Sequence, residues 1–135
     1  MHKIINKAVE ACRNNNISFY KYISLTDAGK SRGHQGGIYI PKQGARLMFD
    51  TSCKRGENKE KLVTIEWFDG LIIEDCKFLY YGRGTRNEFR ITCTKRKLNE
   101  GDFLIMVKIK DDLYQAYTLS SKDEIDYFYQ KLADK

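Results

Sequence analysis

Apolar residues recur along this chain at helix spacing near both ends and at strand spacing between them. Ile4, Ile5, Ala8, Val9 and Cys12 fall at helical intervals, and Asn14, Asn15 and Asn16 end the pattern, which predicts an amphipathic packing helix over 3–15. The segment 17–25 is rich in Ile, Phe and Tyr and predicts a strand. A short apolar patch, Leu47, Met48 and Phe49, interrupts a polar span and fits a turn or a strand. Val63, Ile65 and Trp67 share one face of a strand over 62–67, Asp69-Gly70 signals a hairpin, and a second strand follows over 71–80. Strict alternation along that second strand puts Ile72, Glu74 and Cys76 on one face and Asp75 with Lys77 on the other. Further strands are predicted over 89–93, over 103–109 with Phe103, Ile105, Val107 and Ile109 inward, and over 113–119 across a turn at Lys110, Asp111 and Asp112. Ser121 and Glu124 form a capping box before a final helix striped by Ile125, Phe128, Tyr129 and Leu132. Short strands at this spacing predict a mainly β, antiparallel barrel or sandwich with a helix at either end, one domain over 1–135.

Two stretches break the alternation in the same way. In the first, Gly29, Gly33, Gly36 and Gly37 are interleaved with Lys30, Ser31, Arg32, His34 and Gln35 before the run Ile38-Tyr-Ile40. Gly29-Lys30-Ser31 matches the end of a phosphate-binding P-loop, but position 24, where the first glycine of that motif belongs, is Ser. The helix that should open at Ser31 is replaced by Arg32-Gly-His-Gln-Gly-Gly37, a poor helix sequence, so the nucleotide reading is rejected. In the second stretch Arg83, Arg86 and Arg90 flank Asn87 and Glu88. These side-chain types read base edges in a major groove, arginine on guanine, asparagine on adenine and glutamate on cytosine N4. Lys95, Arg96 and Lys97 follow and suit phosphates, which position a protein without conveying sequence. The competing reading of Arg86, Glu88 and Arg90 is an ion-pair ladder along one strand face. Two such loops on one small β domain favour nucleic acid.

Composition sharpens this. The formal net charge is +6, with charges of both signs spread along a chain rich in aromatics, which describes a folded basic domain suited to a polyanion. Cys12, Cys53, Cys76 and Cys93 are widely spaced, and His2 and His34 lie far apart, so no zinc-ligand pattern is present. With no signal peptide the cysteines read as reduced thiols of a cytoplasmic protein, and no apolar run reaches the roughly 18 residues that span a bilayer. No cofactor is implied. Asp69, Asp75 and Lys77 could in principle hold a divalent metal in a small nuclease, but Asp69 is the residue that a hairpin turn selects for its conformation. No nucleophile motif with histidine and acid is present, so the reading is of a non-catalytic chain.

Gly33-His-Gln-Gly-Gly-Ile-Tyr-Ile-Pro41, together with Tyr81-Gly-Arg-Gly-Thr-Arg-Asn-Glu-Phe-Arg-Ile-Thr92, resembles the N-terminal DNA-binding, or effector, domain of EcoRII-type restriction endonucleases. The resemblance covers most of the chain. It implies an antiparallel DNA-binding pseudobarrel of about seven strands, a fold also used by plant transcription factors, in which two arms grip the major groove like a wrench. The N-arm would span about 24–36 and the C-arm about 81–90. Within them His34 and Tyr39, and the cluster Arg86, Glu88 and Arg90, correspond to the family's DNA-contacting residues. Lys30, Ser31, Arg32, Gln35, Tyr81, Arg83, Thr85 and Asn87 are arm positions not assigned to a particular base. The implied partner is double-stranded DNA in a bacterial cytoplasm. Full-length family members carry a nuclease domain after this one, which these residues do not supply. A third class, a single-strand or RNA binder stacking bases on Tyr80 and Tyr81, stays open at this point.

Overall fold

The computed structural model describes residues 3–15, 17–24, 37–41, 44–49, 54, 56–92 and 98–134. Among these the strands are β1 (Ser18–Tyr22), β2 (Ile38–Ile40), β3 (Asn58–Trp67), β4 (Ile72–Tyr81), β5 (Glu88–Thr92), β6 (Phe103–Lys110) and β7 (Leu113–Leu119). The helices are α1 (Lys3–Asn14), α2 (Ala45–Met48) and α3 (Lys122–Ala133). The strands form one sheet in the order β1-β6-β7-β3-β4-β5-β2, curled into a half-barrel.

Local signals set the hairpins and the last helix. The β3–β4 hairpin closes at Asp69-Gly70, where Trp67 N–H donates to Leu71 O at 2.8 Å and Gly70 N–H to Trp67 O at 2.9 Å. At the start of α3 the Ser121 side chain accepts from Glu124 N–H at 3.2 Å, while Glu124 Oε1 accepts from Ser121 N–H at 3.2 Å, completing the capping box. Leu47 and Met48, left between turn and strand by the sequence, belong to α2 and are buried in the core. The adjoining buried Tyr114 hydroxyl donates to Leu47 O at 2.5 Å, so this polar group is satisfied inside.

Three features depart from strict alternation. In β4 a bulge at Asp75, with φ 60, moves the register from Val63 opposite Cys76 to Ile65 opposite Ile73. Ile73 and Cys76 therefore both face inward and Ile72 is turned out, 56% exposed, which corrects the expectation that Ile72 shares the face of Cys76. Aspartate is one of the few side chains that tolerate this left-handed backbone. In β6 both faces are buried, not one: Phe103, Ile105 and Val107 pack against α1 and α3, while Leu104 and Met106 face the barrel interior. Ile109, expected inward with them, is half-buried at the strand end. The third is β3 with β7, which run parallel from Thr64 opposite Leu113 to Trp67 opposite Ala116, whereas the other pairings are antiparallel. A parallel pair has no tight turn to announce it and needs a long crossover, here the chain from β3 through β4, β5 and β6 to β7.

Two apolar clusters result. One fills the barrel, with Val63, Ile65, Trp67, Phe78, Tyr80, Phe89 and Ile91 among its members. The other lies between the outer face of β6 and β7 and the helices, where Ile5, Ala8 and Val9 of α1 meet Ile125 and Phe128 of α3. Both helices thus cover the β6-β7 part of the sheet, and the outer face of β4-β5-β2 carries polar side chains instead. The edges of the sheet, β1 and β2, approach each other. A Cβ on Gly44 would lie 2.7 Å from Ile40 Cγ2 and 3.1 Å from Phe19 Cδ2, so only glycine fits between them. No helix among the described residues is long and apolar enough to cross a membrane.

Candidate nucleic-acid interface

The segment expected to be the C-arm contains the connection from β4 to β5, and the base of that connection is held by groups outside it. Asn58 Oδ1 accepts from Gly82 N–H at 3.0 Å and from Arg83 N–H at 3.3 Å, and Gly56 N–H donates to Gly82 O at 2.6 Å. A Cβ on Gly82 would come within 2.4 Å of Glu57 O and 2.5 Å of the Tyr80 ring, so this crossing admits glycine alone. Beyond it the chain turns back, Arg86 N–H donating to Arg83 O at 3.2 Å. Arg83, Thr85 and Arg86 are exposed along the turn.

At the start of β5, alternation brings Arg86, Glu88 and Arg90 to the outer face. Glu88 bridges the two arginines. Its Oε1 accepts from Arg86 Nε at 2.6 Å and lies 2.5 Å from Arg86 Nη2, and its Oε2 is 3.3 Å from Arg90 Nη2. The Arg86 guanidinium also lies 3.9 Å above the Tyr81 ring, stacked as a planar cation on an aromatic face. Side-chain exposure falls from 48% at Arg86 to 22% at Glu88 and 18% at Arg90. Such partly exposed pairs add little stability. Their effect is positional, since Tyr81 and Glu88 together fix where the Arg86 fork points.

Arg90 sits deepest, directly across from Tyr39 on β2 and Leu79 on β4. Its Nε is buried without a hydrogen-bond partner among the described residues. Tyr39 is 39% exposed on the same outer face. Lys21 Nζ, reaching from β1, donates to Tyr39 O at 2.7 Å. The ion-pair ladder and the cluster of base-reading residue types are therefore one object: a carboxylate holding two arginines on a face that the described helices leave bare.

The structure sorts the remaining sequence candidates. Asn87 Oδ1 accepts from the Tyr80 hydroxyl at 2.8 Å, which ties the Asn87 oxygen to the fold and leaves its amide N–H groups for other use. Tyr80 is buried, its ring 4.9 Å from that of Phe89, so it is not available to stack on a base as the single-strand reading required. Tyr81 is capped by Arg86. Lys30, Ser31, Arg32, His34 and Gln35 of the N-arm, and Lys95, Arg96 and Lys97, lie outside the described residues. Of the residues invoked for a nuclease, Asp69 accepts from Leu71 N–H at 3.4 Å within its turn, Asp75 forms the bulge, and Lys77 lies 3.9 Å from Glu60. Among the described residues no group of three or more His, Cys, Asp or Glu side chains gathers where a metal could be held.

Sequence reasoning missed Lys21, Asn58 and the buried role of Tyr80. The first two act on strands distant in the chain. Tyr80 carried a signal, alternation with Phe78 on the inward face.

Comparison with curated protein sequences finds no significant relative. Among solved structures the chain is similar to the B3 domain of UbaLAI restriction endonuclease, crystallised with cognate DNA, at 15% identity and a TM-score of 0.57, covering 98% of this chain and 91% of that one. At that identity the likeness is one of fold. The family model for the N-terminal part of restriction endonuclease EcoRII matches residues 12–102, a stretch that includes β1 through β5 and the segments 24–36 and 81–90. The chain belongs to the EcoRII N-terminal domain family of restriction endonucleases.

Proposed function

We propose that this domain is a sequence-specific, double-stranded DNA-binding module of a restriction endonuclease, that it has no catalytic centre of its own, and that its two arms enter the major groove. The observation that carries the reading is the Arg86-Glu88-Arg90 cluster, with Arg86 stacked on Tyr81 and Arg90 across from Tyr39, on an outer face that no described helix covers. Family membership supports it, as does the fold shared with a B3 domain that was crystallised with its cognate DNA.

The chemistry follows from donor counts. A guanidinium has five N–H donors, and Glu88 occupies two of those on Arg86 and one on Arg90, so each arginine retains donors for the O6 and N7 of a guanine. Glu88 keeps lone pairs to accept from a cytosine amine. Tyr39 flanks Arg90 across the pairing of β2 with β5, and His34, by its correspondence to the family's DNA-contacting histidine, supplies a further contact to DNA. Lys30, Arg32 and the 95–97 cluster take phosphates and give the affinity its salt dependence. In a larger enzyme such a module would bind one copy of the site and regulate cleavage by a nuclease domain at another.

Selection of bound duplexes from a random pool tests this. The expected result is enrichment of one short motif, competition by duplex but not by its separated strands, and no cleavage of plasmid in magnesium. A pool that emerges unenriched, or tighter binding to single strands, contradicts the reading.

A further inference from the structure

Lys21 is the second-last residue of β1 and lies on the strand face that carries Phe19 into the barrel. A lysine on that face would ordinarily run its stem along apolar surface to water. Here Nζ crosses to the opposite edge of the sheet, donating to Tyr39 O at 2.7 Å and lying 5.5 Å from the centre of the Tyr39 ring. β1 and β2 are the two ends of the strand order. The N-arm leaves the sheet after β1 and returns at β2, so Lys21 joins the outgoing stem to the incoming one. Tyr39 in turn stands across from Arg90, which Glu88 links to Arg86. A continuous set of contacts thus runs from the base of the N-arm to the C-arm.

We propose that Lys21 is a positioning residue that clamps the two stems of the N-arm across the seam of the half-barrel and sets Tyr39 beside Arg90, so that both arms meet DNA in one register. The consequence for DNA rests on the function proposed above; the clamp itself does not. The rival role is a phosphate contact, the usual task of a lysine in a basic DNA-binding domain. The two differ in a measurable way. A phosphate contact releases a counterion and contributes close to one unit to the slope of log affinity against log salt, whereas a lysine bound to a carbonyl of its own protein contributes nothing to it.

The test uses the whole chain carrying Lys21→Met or Lys21→Arg. Amide hydrogen exchange, measured without DNA, should accelerate about tenfold at 38–40 in Lys21→Met, remain at wild-type rates in β3 and β4, and be largely restored in Lys21→Arg. Affinity of Lys21→Met for the duplex that the wild type selects should fall about tenfold, affinity for a scrambled duplex should change less than twofold, and the salt slope should stay as it was. A slope lower by about one unit with equal losses on both duplexes would make Lys21 a phosphate contact and overturn the proposal. Unchanged exchange at 38–40 overturns it also. If the wild type selects no duplex, the DNA-binding reading fails while the exchange measurement still decides the clamp.

Discussion

One sheet presents two outer faces that were resolved in opposite ways. Over β6 and β7 the outward side chains Phe103, Ile105, Val107, Tyr117 and Leu119 are apolar and are covered by α1 and α3. Over β4, β5 and β2 the outward side chains include Tyr81, Glu88, Arg90 and Tyr39, partly exposed, with Glu88 paired to Arg86 and Arg90 and Arg86 stacked on Tyr81. The first face is finished by the chain's own helices. The second is held without being covered: stacking, ion pairs and the Asn58 contacts position its side chains while guanidinium donors remain unspent. A surface that is ordered in advance loses little entropy when a partner arrives, which is the condition for reading bases and not merely attracting phosphates.

Substitutions should separate the faces. The largest effect belongs to the covered one: Phe128→Ala empties a fully buried site against Phe103 and Tyr20 and should cost about 3–5 kcal/mol in denaturant unfolding. At temperatures where that variant stays folded, its DNA preference should match the wild type. Arg90→Ala on the bare face should do the reverse, losing about 1–3 kcal/mol of discrimination between the selected and a scrambled duplex in a competition assay. Its unfolding free energy should change by less than about 1 kcal/mol, as partly exposed ion pairs do. Asn58→Ala tests whether pre-ordering matters. It removes the acceptor shared by Gly82 and Arg83 and should cost roughly 1 kcal/mol of stability, with a fall in specific binding although Asn58 lies outside the arms.

The covered face also carries a pH dependence of its own. Burial raises the phenols of Tyr20 and Tyr117 above their ordinary value, with Cys12 adding to the shift of both, and burial raises Tyr129 as well, with Tyr20 and Tyr22 adding to it. All three lie on the helix-covered side. A phenol whose folded pKa is raised contributes stability that is complete below about 10, its unfolded value, and is lost as pH climbs through the folded value. The unfolding midpoint should therefore fall as pH rises above about 10, with no contribution from these groups between about 6 and 9. Tyr129→Phe should reduce that alkaline loss, the smallest effect of the set.

What the sequence disclosed divides along similar lines. The Asp69-Gly70 hairpin, the Ser121 capping box and the stripes of α1 and α3 are local devices, complete within a few residues, and they could be read directly. The bulge at Asp75, the parallel register of β3 on β7 and the burial of both faces of β6 depend on partners far along the chain. In the site, the alternation of Arg86, Glu88 and Arg90 was legible as a shared face, and the resemblance to a known family gave it a meaning. The support beneath it was not. Asn58 acts across 24 positions and Lys21 across 18, and neither residue type advertises such a role. Asn87 is an instructive case, because its type suggests a base reader while Tyr80, inward by simple alternation, takes up its oxygen.

The central claim, that the bare face reads base edges in the major groove, is tested most directly by replacing purines of the selected duplex one at a time with their 7-deaza analogues, which remove N7 from that groove and leave the minor groove intact. The account predicts that a few adjacent purines weaken wild-type binding by about 1–3 kcal/mol each, and that Arg90→Ala becomes indifferent to at least one of them. Binding that is unaffected by every 7-deaza substitution, in wild type and variant alike, would contradict it.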